Sequence, residues 1–341
     1  MSSTSNSSLI TLRDRPSIDA LEFRRFRGPS DYPSMLAVTE ASKHIDEDEW
    51  TNGLDDIARS YRHLKNCVPS EDMIFAEVTG SVVGYGRIWW EEERVGTRIH
   101  RLFVHLMPEW RGQGIRRAML HFLEQRATTV AKKQPVHAGR YLQASAGKAE
   151  SDWINLLTHE GYTAVRWEYE MVRRLDEPLP KCKIPEGFTV RRVREDDVPA
   201  IWAAASEAFA DHWGETDWFT PKTLTEWQES PRYRPDLWQV AWHGDEVAGM
   251  VLNELNEKEN EEYKRTRGYT ETICVRRSWR GCGLAKALIA RSLNMWKERG
   301  MSEAAHGVDA DNQTGALQLY ESLGYKEGRI FTTYRKVLVA D

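Results

Sequence analysis

Cysteine is scarce in this chain. Among its 341 residues there are four, Cys67, Cys182, Cys274 and Cys282, and none stands in a CxxC spacing. That argues against a disulfide scaffold and a thiolate zinc site, so no metal is expected, and it points to a reducing, cytoplasmic setting. Long apolar runs are missing too: nothing approaches the ~18 consecutive apolar residues of a membrane span, and no membrane partner is expected. There is no surplus of positive charge. Lys and Arg number 47 against 52 Asp and Glu, a formal charge of -5, which argues against a nucleic-acid partner. The Ser-rich opening, residues 1–18, has no apolar core or cleavage-like end. It reads as a disordered tail and not as a signal peptide.

What the chain does have is internal duplication. Residues 176–186, inside the Pro-rich stretch "LDEPLPKCKIPEG", read as a linker between two domains, 19–175 and 187–341. The two halves run in parallel. Each opens on an Arg-bracketed extended segment, "FRRFRGPSDYPSMLAV" and "FTVRRVREDDVPAIWAA". Each continues with a hairpin pattern, alternating apolar residues around Thr79-Gly80 and around His243-Gly244. A strand, an Arg-Gly turn and a helix follow, then a helix ending in Gly-Tyr (Gly161-Tyr162, Gly324-Tyr325) and a last strand. The period is too long for a solenoid, so a mixed α/β unit used twice is the expectation.

The most specific stretch is "YTETICVRRSWRGCGLAKALIARSL", from Tyr269 to Leu293. Residues 270–275 are short and β-prone, and apolar residues after Ala285 fall at helical spacing. Arg280 to Ala285 is therefore a strand-to-helix turn, where unpaired N–H groups and the helix dipole favour an anion. Gly281 and Gly283 clear side chains from the backbone so that a pyrophosphate can approach. A Gly pair alone more often just permits a turn. There is no Walker lysine after the glycines and no GxGxxG fingerprint.

Arg280-Gly281-Cys282-Gly283-Leu284-Ala285 resembles the acyl-CoA loop of the GNAT superfamily of N-acetyltransferases, [Q/R]-x-x-G-x-[G/A]. About thirty residues on, Asn312, Ala316, Tyr320, Gly324 and Tyr325 are similar to the superfamily's closing pattern. The arrangement resembles the mycothiol-synthase-like tandem members. The resemblance implies an α/β fold of two tandem domains, each a central mixed β-sheet flanked by helices. It also implies an acetyl-CoA-dependent N-acyltransferase whose C-terminal domain transfers acetyl to a primary amine of a small molecule by direct attack in a ternary complex. Ile273, Cys274 and Val275 would lie along the pantetheine arm; Arg280 to Ala285 and Asn312 would complete the cofactor side. Tyr320 is the candidate general acid, at i+4 from Ala316 on a helix capped by Asn312. Glu271 is the candidate base; period 2 sets it on the face of Ile273 and Val275. Many relatives carry the acid two residues earlier, where this chain has Tyr269. His306 is a weaker alternative, and Cys282 reads as an inert variable slot. A monomer and a homodimer both fit.

In the first half, Arg111-Gly112-Gln113-Gly114-Ile115-Arg116 repeats the turn with Arg116 in the small-residue slot. Counting back from Gly161, Leu157, Trp153 and Ala149 stand for Tyr320, Ala316 and Asn312, so catalysis is not expected there. Two softer features remain. The Trp-rich "DHWGETDWFTPKTLTEW" reads as packing or as a cover for the acceptor. "NELNEKENEEYKRTRG" reads as a solvated charged loop whose acidic part would attract a cationic amine. The alternatives to a small-amine acetyltransferase are a non-catalytic acyl-CoA sensor and a peptide or protein N-acetyltransferase.

Overall fold

The computed structural model describes residues 9–135, 138–216, 218–311 and 315–339. Two compact units result, Met1–Arg166 with Phe331–Asp341, and Trp167–Ile330. The first unit runs β1 (Leu9–Ile10), β2 (Leu21–Arg24), α1 (Tyr32–Lys43), α2 (Leu54–Arg62), α3 (Pro69–Asp72) and β3 (Met73–Val78). It goes on through β4 (Ser81–Glu92), β5 (Arg98–Leu106), α4 (Ile115–Ala131), β6 (Arg140–Gly147) and α5 (Ser151–His159) to the start of β7 (Thr163–Arg174). The second unit takes β7 from Trp167, then β8 (Thr189–Val190), α6 (Val198–Phe209), α7 (Pro221–Gln228), β9 (Gln239–His243) and β10 (Glu246–Glu254). It continues with α8 (Glu257–Glu262), β11 (Arg267–Val275), α9 (Leu284–Glu298), β12 (Glu303–Asp309), α10 (Ala316–Ser322) and the start of β13 (Lys326–Val337).

Within the first unit the strand order is β1-β2-β3-β4-β5-β6-β13; within the second it is β7-β12-β11-β10-β9-β8. In each, one central pair is parallel, β5 with β6 and β11 with β12. The β3–β4 hairpin turns on Thr79 and Gly80 at φ 50° and 80°, the left-handed pair that a tight I′ turn needs. Helix α9 buries Leu284, Leu288, Ile289, Leu293 and Trp296, an apolar stripe at 3.6 spacing. Gly268 on β11 accommodates the last of these. A Cβ there would lie 2.3 Å from the Trp296 ring, which accounts for glycine in a buried strand.

This division in space differs from the linear one expected at 175–187. The open edge of β6 is closed by Phe331–Val337 of β13, and the edge of β12 by Glu168–Arg174 of β7. Each unit's last strand is thus supplied by the other half of the sequence. Both are alternating strands of equal length, and pairing choice is non-local, so local pattern does not reveal the exchange. Residues 176–186 are not a free spacer either: Leu179 and Ile184 pack against the second unit's core. The expected tail is structured from Leu9 onward, where β1 pairs with β2, and Pro16 lies 3.5 Å from where a Gly114 Cβ would be. Residues 1–8 lie outside the described residues.

Candidate active site

The turn between β11 and α9 has the expected shape. Gly281 and Gly283 adopt φ 81° and 84°, and a Cβ on either would meet no atom within 4 Å. The surface of the turn is therefore bare backbone. The first helical bond runs from Ala287 N–H to Gly283 O at 3.1 Å, leaving the preceding N–H groups without helical partners. Arg280 does more bracing than expected: its Nε donates to Val275 O and its Nη2 to Ala208 O, both at 3.0 Å. The Leu284 side chain is in the core, and Ala285 packs against it, so the turn offers backbone rather than side chains here. Exposed Cys282 points its thiol at Trp279 O, 3.1 Å away.

Upstream, β11 carries a bulge. Its register against β10 shifts between Met250↔Cys274 and Leu252↔Glu271, and Thr272 takes a left-handed φ of 45°. The extra residue breaks the alternation. Glu271 consequently shares the face of Leu252 and Cys274, while Ile273 and Val275 turn to the opposite core under α9. This corrects the period-2 assignment, which presupposed an unbroken strand. Tyr269 and Glu271 do stay on one face, paired with Glu254 and Leu252. On its other side β11 pairs with β12 only through Arg267, Gly268 and Tyr269, then the two diverge. From Thr270 to Val275 that edge carries no ladder with β12 among the described residues, so its backbone groups, apart from the Val275 carbonyl held by Arg280, are open to a ligand.

The chemistry collects at this opening. Glu271 is recessed, its carboxyl pushed up to about 8 by burial and by the neighbouring Glu254 and Glu168, against the pull of Arg232 and the Gly307 N–H. Glu254 is pushed up to about 7 by burial. Glu168 also rises, through loss of solvent around its carboxyl and through Asp309, although the residue as a whole is exposed, and its Oε1 lies 2.7 Å from where a Gly307 Cβ would stand. Neither Glu254 nor Glu168 was a candidate from the motifs. Glu254 lies at the head of the acidic run, a signal that was there to read; Glu168 arrives on the exchanged β7, which nothing local announces. The rest of that run is not a solvated loop. It forms α8, capped by Asn256, with Glu259 buried against Arg265 and the hydroxyl of Tyr269.

Tyr320 sits on α10 with its ring centroid 3.9 Å from that of His306. Burial first, and then the neighbouring Glu271 and Cys274, raise its hydroxyl pKa, so it remains protonated. The helix starts at Ala316, with Gly315 in the cap position at φ 73°; Asn312, the expected cap, lies outside the described residues. Its C-terminus closes by two bonds, Tyr325 N–H to Tyr320 O at 3.1 Å and Gly324 N–H to Glu321 O at 2.9 Å, with Gly324 left-handed. That closure fixes where Tyr320 stands. His306 is buried, its Nδ1 3.3 Å from Thr270 Oγ1, and burial pushes it down to about 3. Burial thus favours its neutral form and weakens it as a base. Burial pushes the Cys274 thiol up to about 12, which keeps it unreactive.

The first unit repeats the frame and closes the groove. The register of β4 on β5 runs unbroken from Gly84↔Leu106 to Glu92↔Arg98, with no bulge. The buried Arg116 donates from Nε to Val104 O at 2.9 Å, the carbonyl that corresponds to Ile273. Its guanidinium packs 4.3 Å above Trp153 and pairs with Asp152 and Glu150. The backbone acceptor that an arm-like ligand would use is already taken. Leu157 is fully buried where Tyr320 stands in the other unit, under the same helix closure at Gly161. Arg111 is consumed by a bidentate pair with Asp46.

Among known proteins, the model of the "Acetyltransferase (GNAT) family" matches residues 37–138 and 198–325. A mycothiol acetyltransferase of Streptomyces bingchenggensis is 29% identical over 271 residues, covering 78% of this chain and 79% of its own. That of Geodermatophilus obscurus is 26% identical, covering 78% and 82%. Of solved structures, a GCN5-related N-acetyltransferase from Sphaerobacter thermophilus superimposes with a TM-score of 0.70 at 24% identity, covering 94% and 96%. A tandem GNAT protein from the clavulanic acid biosynthesis pathway gives 0.65 at 13%, covering 94% and 99%. The two family matches together span more than half the chain, one on each copy of the Arg-Gly turn: this protein belongs to the GNAT family of acetyltransferases.

Proposed function

We propose that the second unit transfers the acetyl group of acetyl-CoA to a primary amine of a small molecule, and that the first unit has no catalytic role. The observation carrying this reading is the opening between β11 and β12, bare of ladder bonds and reached by Glu271 and Tyr320. The pyrophosphate would lie on the N–H groups of residues 281–285, with the arm along 273–275. An alkyl ammonium with a pKa of about 10 must lose a proton before it attacks. Glu271 accepts that proton, and Glu254 and Glu168 supply the negative surroundings that draw a cation in. The amine nitrogen then bonds to the thioester carbon, its second proton passes to solvent, and the C–S bond breaks as the tetrahedral adduct collapses. The departing sulfur takes the Tyr320 proton, which solvent restores. A hydroxyl kept neutral by burial suits an acid more than a base.

The relatives' activity makes a thiol-bearing amino-sugar conjugate the first acceptor to try, followed by simple polyamines and amino sugars. The test is a CoA-thiol release assay on the full chain with that amine panel. Amine-dependent thiol release is expected. Tight acetyl-CoA binding with no release by any amine would leave a sensor instead, and release with peptide N-termini alone would make it a peptide acetyltransferase.

A further inference from the structure

The first unit contains a cavity of about 340 Å³ over α1, α2, β4 and β5, within the size range of small-molecule sites. Its walls are aromatic: Tyr61, Tyr85, Trp89 and Phe103 surround the side chain of Arg87. The guanidinium carbon lies 5.2 Å from the Tyr61 ring, 5.0 Å from Trp89 and 5.3 Å from Phe103. No carboxylate pairs with it among the described residues, and its buried Nε has no hydrogen-bond partner. A half-buried cation without a counter-ion is unusual, because desolvation is normally offset by an anion.

The acids at the rim are engaged elsewhere. Glu40 pairs with Lys43, Asp48 accepts the Trp50 N–H, and Asp56 holds Arg59 and the Gly53 N–H. His105 is tilted against Tyr85 and Phe103 and is held neutral by burial, down to about 3. It adds no competing positive charge.

The sibling unit sharpens the point. Aligned on Gly84 and Gly249, which face Leu106 and Val275, Arg87 corresponds to Leu252. Leu252 is fully buried in a core with Met250 and Trp238, and Trp227 stacks on Trp238 at 5.2 Å. One copy fills this face with apolar side chains. The other leaves it open and sets a cation in it.

We infer that this cavity is a binding site for a small organic carboxylate with a flat apolar body, its carboxylate on the Arg87 fork and its body among Tyr61, Tyr85 and Phe103. The planar guanidinium matches a carboxylate in two parallel bonds, and apolar walls favour a single charge over a phosphate's two. The site is independent of the acetyl-transfer chemistry proposed for the other unit.

The experiment titrates the full chain with 3-phenylpropionate and, separately, with its neutral amide, following tryptophan fluorescence and calorimetry at fixed ionic strength. The carboxylate is expected to bind at least about tenfold more tightly than the amide, as a charge-assisted fork contact requires. Arg87→Met keeps the aliphatic stem and should erase that preference while leaving amide binding in place. Should Arg87→Met fail to fold, Ser60→Trp, at an exposed position of α2 on the rim, should weaken both ligands by narrowing the entrance. Equal affinity for acid and amide, failure of both to bind at millimolar concentration, or unchanged preference in Arg87→Met would overturn the inference. So would unchanged binding in Ser60→Trp.

Discussion

Glu271→Gln isolates the recessed carboxyl at the centre of the proposed site, and its effect on stability has a sign that depends on pH. The folded chain holds this proton up to about 8, against an ordinary value of 4.5. Between those values the unfolded chain has lost the proton and the folded chain keeps it, so this residue's contribution to stability falls as pH rises. The full separation corresponds to at most about 5 kcal/mol, and partial solvation of the recess brings the expected figure to about 2–4 kcal/mol. Gln is isosteric with the protonated acid and still accepts from the Gly307 N–H. Wild type and Glu271→Gln should therefore melt together at pH 5, and the variant should melt roughly 5–10 °C higher at pH 8.5. Differential scanning calorimetry of the full chain across that range reads it directly. A gap that does not change with pH would refute the raised carboxyl, and so would a variant that is less stable at pH 8.5.

The same linkage sets the rate profile. As the proposed base, Glu271 would act only when ionised, so kcat/KM should rise through pH 7–8, and Glu254→Gln, which removes a like charge, should shift that limb down by about one unit. Steady-state rates across pH 5.5–9.5 test it. Gly283→Glu fills and charges the bare turn; it should raise the KM for acetyl-CoA by at least about tenfold, whereas Gly114→Glu should leave kcat and KM unchanged. Arg116→Met in the first unit removes a buried cation that pairs with the half-buried Asp152 and Glu150 and leaves the Val104 carbonyl without its donor. It should cost about 1–3 kcal/mol of stability by denaturant melting, and no second active site should appear, because Leu157 has no acidic proton.

Much of this frame was legible because local chemistry encodes it. The Thr79-Gly80 turn, the left-handed glycines at 281 and 283, and the Gly324-Tyr325 closure each need a particular residue at a particular dihedral angle. Those needs appear in one short window of sequence. What escaped was either non-local or a one-residue irregularity. The exchange of β7 and β13 depends on which of two similar strands meets which edge, and it carries Glu168 to the site from the first half of the sequence. The bulge at Thr272 turns Glu271 away from the face of Ile273, and a threonine does not advertise a left-handed φ. Arg280 matched its motif, yet most of what it does in the structure is hold carbonyls at Val275 and Ala208. The tryptophan-rich stretch divides: Trp227 lies stacked between Trp202 and Trp238, whereas Trp213 and Trp218 are exposed.

The central claim, that Tyr320 supplies the proton to the departing thiolate, is tested most directly by Tyr320→Phe. Phe keeps the ring against His306, so packing and acetyl-CoA binding should hardly change. General acid contributions run to about 10²–10⁴ in rate, and a fall in kcat of roughly 10- to 1,000-fold is expected, with acetyl-CoA affinity within about twofold of wild type. The measurement pairs steady-state kinetics on any amine that turns over with a titration of acetyl-CoA binding. Wild-type kcat in the variant would remove Tyr320 from the mechanism, and loss of acetyl-CoA binding would make it a packing residue of the cofactor groove.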